Sequence, residues 1–310
     1  MKHLRQLTPA WILLLMSALL ICSGTAKQAA FDSLRLCATA LIPSLLPFSV
    51  ASNLFLLTGS DRPFARLLQK PLRLLHLPAE GCSAILTGLV GGYPVGLLTL
   101  AMACRQNRLS RREAVAVSRI CNQAGPAFIL GAVGLALFDS LRVGVLLWIT
   151  QLLSALSTAL FFAVLVPHER KHTFWPQQSE SETSSDKTLF AALPEAVKRS
   201  SLSLLVVCAY VVFFGTVSGL LRALPLPQET SALLSAAMEL CGGLYILPQA
   251  ALQSRFIMIS VLLAWGGVCV HLQGVTALHE AGLPARPYLY AKLLQAAFSL
   301  LLAVPISFCL

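Results

Sequence analysis

Apolar runs of about 20 residues, the length a helix needs to cross the roughly 30 Å hydrocarbon core of a bilayer, recur along this chain and leave few other folds open. Of its 310 residues, 56% are hydrophobic and 12% charged, against about a quarter charged in soluble domains. The expected fold is therefore an all-α, polytopic integral membrane protein. A formal charge of +10 would suit nucleic acid, but the basic residues sit in short segments between apolar runs, as the positive-inside rule requires. Nucleic acid is thereby set aside as a partner, and the bilayer takes its place. The nine cysteines are scattered without a C-x-x-C pair and fall mostly inside apolar segments. They read as buried free thiols, not as a disulfide or zinc framework. Nothing in the sequence calls for a cofactor.

The chain begins with Lys2 and Arg5, an apolar stretch from Trp11 to Cys22, and small residues up to Ala26. This is either a cleaved signal peptide or an uncleaved first span. Residues 1–30 are set apart as that span or signal anchor, with the N-terminus cytoplasmic. Residues 38–58 form the next expected span, followed by a basic loop containing Arg62, Arg66, Lys70 and Arg73.

The run from Cys82 to Ala103 would read as another span but for Gly88-Leu-Val-Gly-Gly-Tyr-Pro-Val-Gly96 in its middle. Four glycines and a proline in nine residues break a helix, since each Gly costs about 1 kcal/mol and Pro about 3 kcal/mol relative to Ala. A break in lipid frees backbone N–H and C=O groups, which is tolerated only where protein or a watery cavity surrounds them. Arg105, Arg108, Arg111 and Arg112 follow the run. Basic segments on both flanks predict a re-entrant hairpin with its tip at the Gly-Gly-Tyr-Pro turn.

Further crossings are expected over 114–137, interrupted by Asn122-Gln-Ala-Gly-Pro126, and over 143–166. Polar residues from His168 to Lys187, with Lys198 and Arg199 beyond, form a cytoplasmic linker, 167–200. Crossings over 201–221, 256–278 and 288–308 and a second Gly-interrupted run over 231–250 complete the chain. The order crossing, hairpin, crossing, crossing occurs twice, with opposite orientation. Ser44-Leu45-Leu46 with Phe55 matches Ser203-Leu204-Leu205 with Phe214, and Gly91-Gly92 matches Gly242-Gly243. The expectation is two inverted-topology repeats, 31–166 and 201–310, each with a re-entrant helical hairpin and a broken transmembrane helix. That arrangement points to a transporter-like binding site near the bilayer midplane.

The candidate solute-binding residues follow from the breaks. Gly91, Gly92, Tyr93 and Pro94 form the first tip, and Asn122, Gln123, Gly125 and Pro126 interrupt the helix after it. In the second half the counterparts are Glu239, Gly242 and Gly243, then Gly266, Gly267, His271 and Gln273. Glu239 reads as the carboxylate well inside an apolar run, and such a group is functional by default. Arg119 reads as the sole base inside a run, placed to reach the interface or to pair with Glu239. The amides and the glycine pairs have a plainer role open to them, holding helices together.

Gly-Gly-Tyr-Pro-Val-Gly at 91–96, Cys-Asn-Gln-Ala-Gly-Pro-Ala-Phe-Ile-Leu-Gly-Ala-Val-Gly at 121–134, Glu-Leu-Cys-Gly-Gly at 239–243 and Trp-Gly-Gly-Val-Cys-Val-His-Leu-Gln at 265–273 together resemble the YlbJ family of sporulation integral membrane proteins. The resemblance runs from about residue 30 onward. It implies a plasma-membrane protein of a spore-forming bacterium, needed for spore formation, with two nucleoside-recognition or Gate domains. It names no solute. Partners would be an unknown small solute and either further copies of the chain or other sporulation membrane proteins.

Two other classes stay open. One is a non-transporting assembly or scaffold protein whose basic loops dock partners. The other is a zinc protease, since His168-Glu169-Arg-Lys-His172 fits H-E-x-x-H. Pro167 and Pro176 flank that motif and no clear third ligand follows, so an enzyme is not expected.

Overall fold

In lipid no water bonds the backbone, so a chain of this hydropathy must satisfy its N–H and C=O groups within helices. A computed structural model describes residues 2–165, 188–247 and 250–310, and every regular element among them is helical. The linker residues His168 to Lys187, with the His168, Glu169 and His172 motif, lie outside the described residues. Among the described residues, four helices are long and apolar enough to cross a bilayer: Leu141–Leu165, Leu189–Arg222, Leu252–Glu280 and Arg286–Ser307. A fifth is counted if Pro9–Ile21 and Ser23–Leu41, bent by 93° at Cys22, make one span.

The start of the chain departs from expectation. Instead of a separate span over 38–58, a helix begins at Ser23, passes through a wide stretch at Cys37–Leu41, and continues as Ile42–Leu57. The wide stretch ends just before Pro43, which has no N–H to give a regular turn. Residues 23–36 are too polar to stand out by hydropathy, and packing makes them part of the bundle. Ala26, Ala29 and Ser33 are buried, with Ala29 against Gly219 and Ser33 against Gly215 on Leu189–Arg222. Farther along, Asn53 Nδ2 donates to Ser200 Oγ at 2.9 Å. Contacts that rise on one helix fall on the other, so the two long helices run antiparallel.

Beyond two short helices of the first half, Asp61–Leu67 and Gln69–Leu74, which the second half lacks among the described residues, a similar order of elements follows each long helix. In the first half come the paired short helices Cys82–Gly91 and Val95–Arg105, a helix Arg111–Ser118 broken from Ala127–Phe138, and straight Leu141–Leu165. In the second half come Gln228–Met238 and Leu240–Gly243, then Leu252–Trp265 broken from Gly267–Glu280, and straight Arg286–Ser307. The last helix packs between Leu141–Leu165 and Leu252–Trp265.

The straight helices are polar inward and apolar outward. On Leu141–Leu165, Thr150, Gln151, Ser154 and Thr158 are buried while Leu153, Leu156, Leu160 and Phe161 are exposed. On the last helix Lys292, Gln295 and Ser299 are buried and Leu293, Leu300 and Leu301 exposed. This inverts the pattern of a water-soluble bundle. The outer face suits hydrocarbon, which identifies an integral membrane protein.

Candidate functional site

The first hairpin is built on small residues. Helices of 10 and 11 residues rise about 15 Å each, too little to cross a core of about 30 Å. The chain turns between them at Gly92, whose φ of +79° is left-handed backbone that favours glycine. Gly88 and Gly96 face each other across the hairpin, and a Cβ on either would overlap the Cys121 carbonyl oxygen. Gly92 likewise lies against the backbone of Gly125. The non-helical stretch around Cys121 to Gly125 is therefore seated in the hairpin, backbone against backbone.

In the second half the break falls at Glu239, three residues before the glycine pair. Its backbone is extended, and its carboxylate folds forward, with Oε1 accepting from Cys241 N at 2.8 Å and Oε2 from Gly242 N at 2.7 Å. Glu239 is thus an N-cap whose charge is met by backbone N–H groups. Arg119 takes a different partner, its guanidinium 4.4 Å from the centre of the Phe162 ring, so the two do not pair. Glu239→Ala should destabilise the protein by about 1–2 kcal/mol through loss of the cap, read as a lower midpoint of thermal unfolding. Gly243 serves close packing against Ala236.

The partner break, at Gly266 and Gly267, touches this segment. Gly267 faces the carbonyl oxygens of Ala237 and Met238, and Trp265 Nε1 donates to Ala237 O at 3.2 Å. Each hairpin break rests on the broken helix of its own half. The halves meet where the Tyr93 ring lies against Gly266.

Between the breaks lies a buried polar network centred on the last helix. Asn122 Nδ2 donates to Tyr288 Oη at 2.8 Å, and Tyr288 Oη is 3.0 Å from His271 Nδ1. The phenol oxygen accepts from Asn122, and the proton of its bond to His271 lies on the phenol or on Nδ1 according to the imidazole tautomer. Lys292 Nζ donates to Asn122 O at 3.0 Å and to Gln295 Oε1 at 2.9 Å. Gln295 Nε2 donates to Gln123 Oε1 at 2.6 Å, and Gln151 Nε2 reaches the same oxygen at 2.9 Å.

Tyr288, Lys292 and Gln295 have no exposed surface. Four buried polar atoms here have no hydrogen-bond partner: Asn122 Oδ1, His271 Nε2, Tyr93 Oη and Gln151 Oε1. Most buried polar atoms are paired, so these four are exceptions among the described residues. Tyr288→Phe would strand Asn122 Nδ2 and His271 Nδ1 as well. It should lower stability by about 1–3 kcal/mol, measured by thermal or denaturant unfolding.

The structure thus brings Asn122, Gln123 and His271 into one network and sets Gly92, Gly125, Tyr93 and Gly266 around the meeting of the breaks. Gly91 ends the first hairpin helix, Pro94 precedes Val95–Arg105, and Pro126 precedes the wide helical stretch. Gln273 turns away, its Nε2 on Cys269 Sγ at 3.3 Å in the same helix. The reading of Arg119 as the sole base inside a run is corrected by Lys292. Tyr288, Gln151 and Gln295 also went unread. Their signal is a stripe: Tyr288, Lys292, Gln295 and Ser299 follow at helical spacings along one face of an apolar run.

Among known proteins, the chain is similar to the sporulation integral membrane protein YlbJ of Bacillus subtilis (strain 168), with 26% identity over 293 residues that take in 84% of this chain and 72% of that protein. This bears out the resemblance carried by the four motifs. No family model and no solved structure matches the chain.

Proposed function

We propose, for a chain that resembles the YlbJ sporulation membrane proteins along most of its length, that it is a transporter-like protein moving a small anionic solute across the membrane during spore formation. The observation that carries the charge of the solute is Lys292. It is wholly buried, and its hydrogen bonds go to a carbonyl and an amide oxygen with no carboxylate among its partners. The one other buried charged side chain among the described residues, Glu239, is met by the N–H groups of its own turn. An ionisable amine with no acidic partner inside a membrane bundle is costly to charge and marks a solute or ion path. A carboxylate or similar anion at the breaks would complete it.

The recurring order of elements and the antiparallel long helices support two inverted repeats, and such repeats alternate access by moving one against the other around a central site. The test is thermal unfolding of the purified protein with acetate, glutarate, glutamate and benzoate, each against its amide. At least one anion should stabilise the protein while its amide does not. Equal response to acid and amide, or response to neither, sinks the anionic reading.

A further inference from the structure

We infer that Lys292 carries the coupling ion of this transport, a proton taken up together with the anionic solute. The inference rests on the reading of an anionic solute at the breaks. Its basis is a count of donors and acceptors around one atom. Lys292 Nζ has two acceptors, Asn122 O at 3.0 Å and Gln295 Oε1 at 2.9 Å. A neutral amine has two N–H groups and an ammonium three. The protein's own shell is therefore complete for the neutral amine and one acceptor short for the ammonium.

A carboxylate oxygen supplies that third acceptor and the missing negative charge at once. Protonation and anion binding then favour each other, and by linkage the favour is mutual and equal. The step balances: a proton from the aqueous side joins the lone pair of Nζ, the ammonium meets the carboxylate, and a monoanion enters with no net charge added to the bundle. On release the anion leaves and the ammonium, again short of an acceptor, gives the proton back.

Other titratable groups face Nζ. Cys121 precedes Asn122 on the broken stretch, Tyr288 stands one turn earlier on the same helix, and His271 lies on Gly267–Glu280 beyond Tyr288. Leu141–Leu165 contributes Gln151 and Ser154 to the network, and Leu252–Trp265 contributes Ser260, none of which titrates. Lys292 is positively charged when protonated and one acceptor short in that form; His271, whose Nε2 also lacks a partner, is the competing site that the variants below separate from it. His271 Nδ1 is engaged by the phenol, and the His271→Gln variant tests whether the ring takes the proton instead.

The test uses the full-length protein in detergent and the same four carboxylates, which stay ionised above pH 6. Binding is measured by calorimetry between pH 6 and 9 in two buffers of different ionisation enthalpy. The expected result is uptake of close to one proton per anion, with affinity falling toward tenfold per pH unit at the alkaline end. Lys292→Gln should remove both the uptake and the slope from whatever binding remains. His271→Gln and Cys121→Ser should keep the slope even where binding weakens.

Anion binding without proton uptake overturns the inference and leaves the anionic solute standing. A slope that vanishes in His271→Gln or Cys121→Ser, or survives in Lys292→Gln, assigns the proton elsewhere and equally overturns it. Binding of none of the anions removes the anionic reading and the inference with it.

Discussion

A Gly96→Ala protein is expected to lose its folded state, yielding little monodisperse material after extraction and a thermal midpoint far below that of the parent. The added methyl would overlap the Cys121 carbonyl oxygen, and the next nearest atoms are the Cys121 carbonyl carbon and the Gly88 Cα. All are backbone, so no side chain can swing aside. Overpacking a core by a methylene costs about 1–3 kcal/mol when side chains absorb it, and here the cost should exceed that range. A matched control is Gly131→Ala, since nothing lies within 4 Å of a Cβ there and Ala favours helix by about 1 kcal/mol. That protein should be as stable as the parent or more so. Equal midpoints for the two variants would show that the hairpin does not grip the broken stretch as described.

Lys292→Met should give the opposite profile, a folded protein that no longer responds to its solute. Met fills nearly the same volume and removes a buried amine that is costly to charge, and an apolar side chain in such a place is often neutral or stabilising. Against this, Asn122 O and Gln295 Oε1 each lose a donor, at about 1–3 kcal/mol apiece. The two effects offset, so the thermal midpoint should move little compared with Gly96→Ala. Binding is another matter, because truncating one partner of a buried charge pair costs about 2–5 kcal/mol. An anion that stabilises the parent should therefore bind at least 30-fold more weakly to the variant. Unchanged anion response in a folded Lys292→Met protein would take away the observation on which the proposed function stands.

How far the sequence reveals these features depends on whether each is local. The first hairpin was legible because Gly92 and Pro94 punctuate a helix whatever surrounds them, and the break at Asn122 to Pro126 was legible for the same reason. The straight helices were legible from hydropathy alone. Glu239 stood out as a carboxylate, but its role as a cap depends on its own turn geometry, which placed the second break ahead of Gly242 and Gly243. The helix from Ser23 was hidden because Ala29 and Ser33 become core only once Gly219 and Gly215 lie opposite. Lys292 was hidden by averaging, since one lysine barely lowers the hydropathy of a run that also holds Leu293, Leu294, Leu300 and Leu301. Reading the run by helical face, with Tyr288, Gln295 and Ser299 in register, would have exposed it.

The grip on the Cys121 carbonyl has a mechanical consequence. What the first hairpin holds is a peptide oxygen, present whatever side chain follows, held on both flanks by Gly88 and Gly96. Hairpin and broken stretch are thereby keyed together, so a displacement of one would carry the other, with Asn122. The contact with the other half at Tyr93 is of another kind, a ring against Gly266 with Val270 beside it. Lys292, bound to Asn122 O from the last helix, ties the second half to that keyed unit through the same peptide segment.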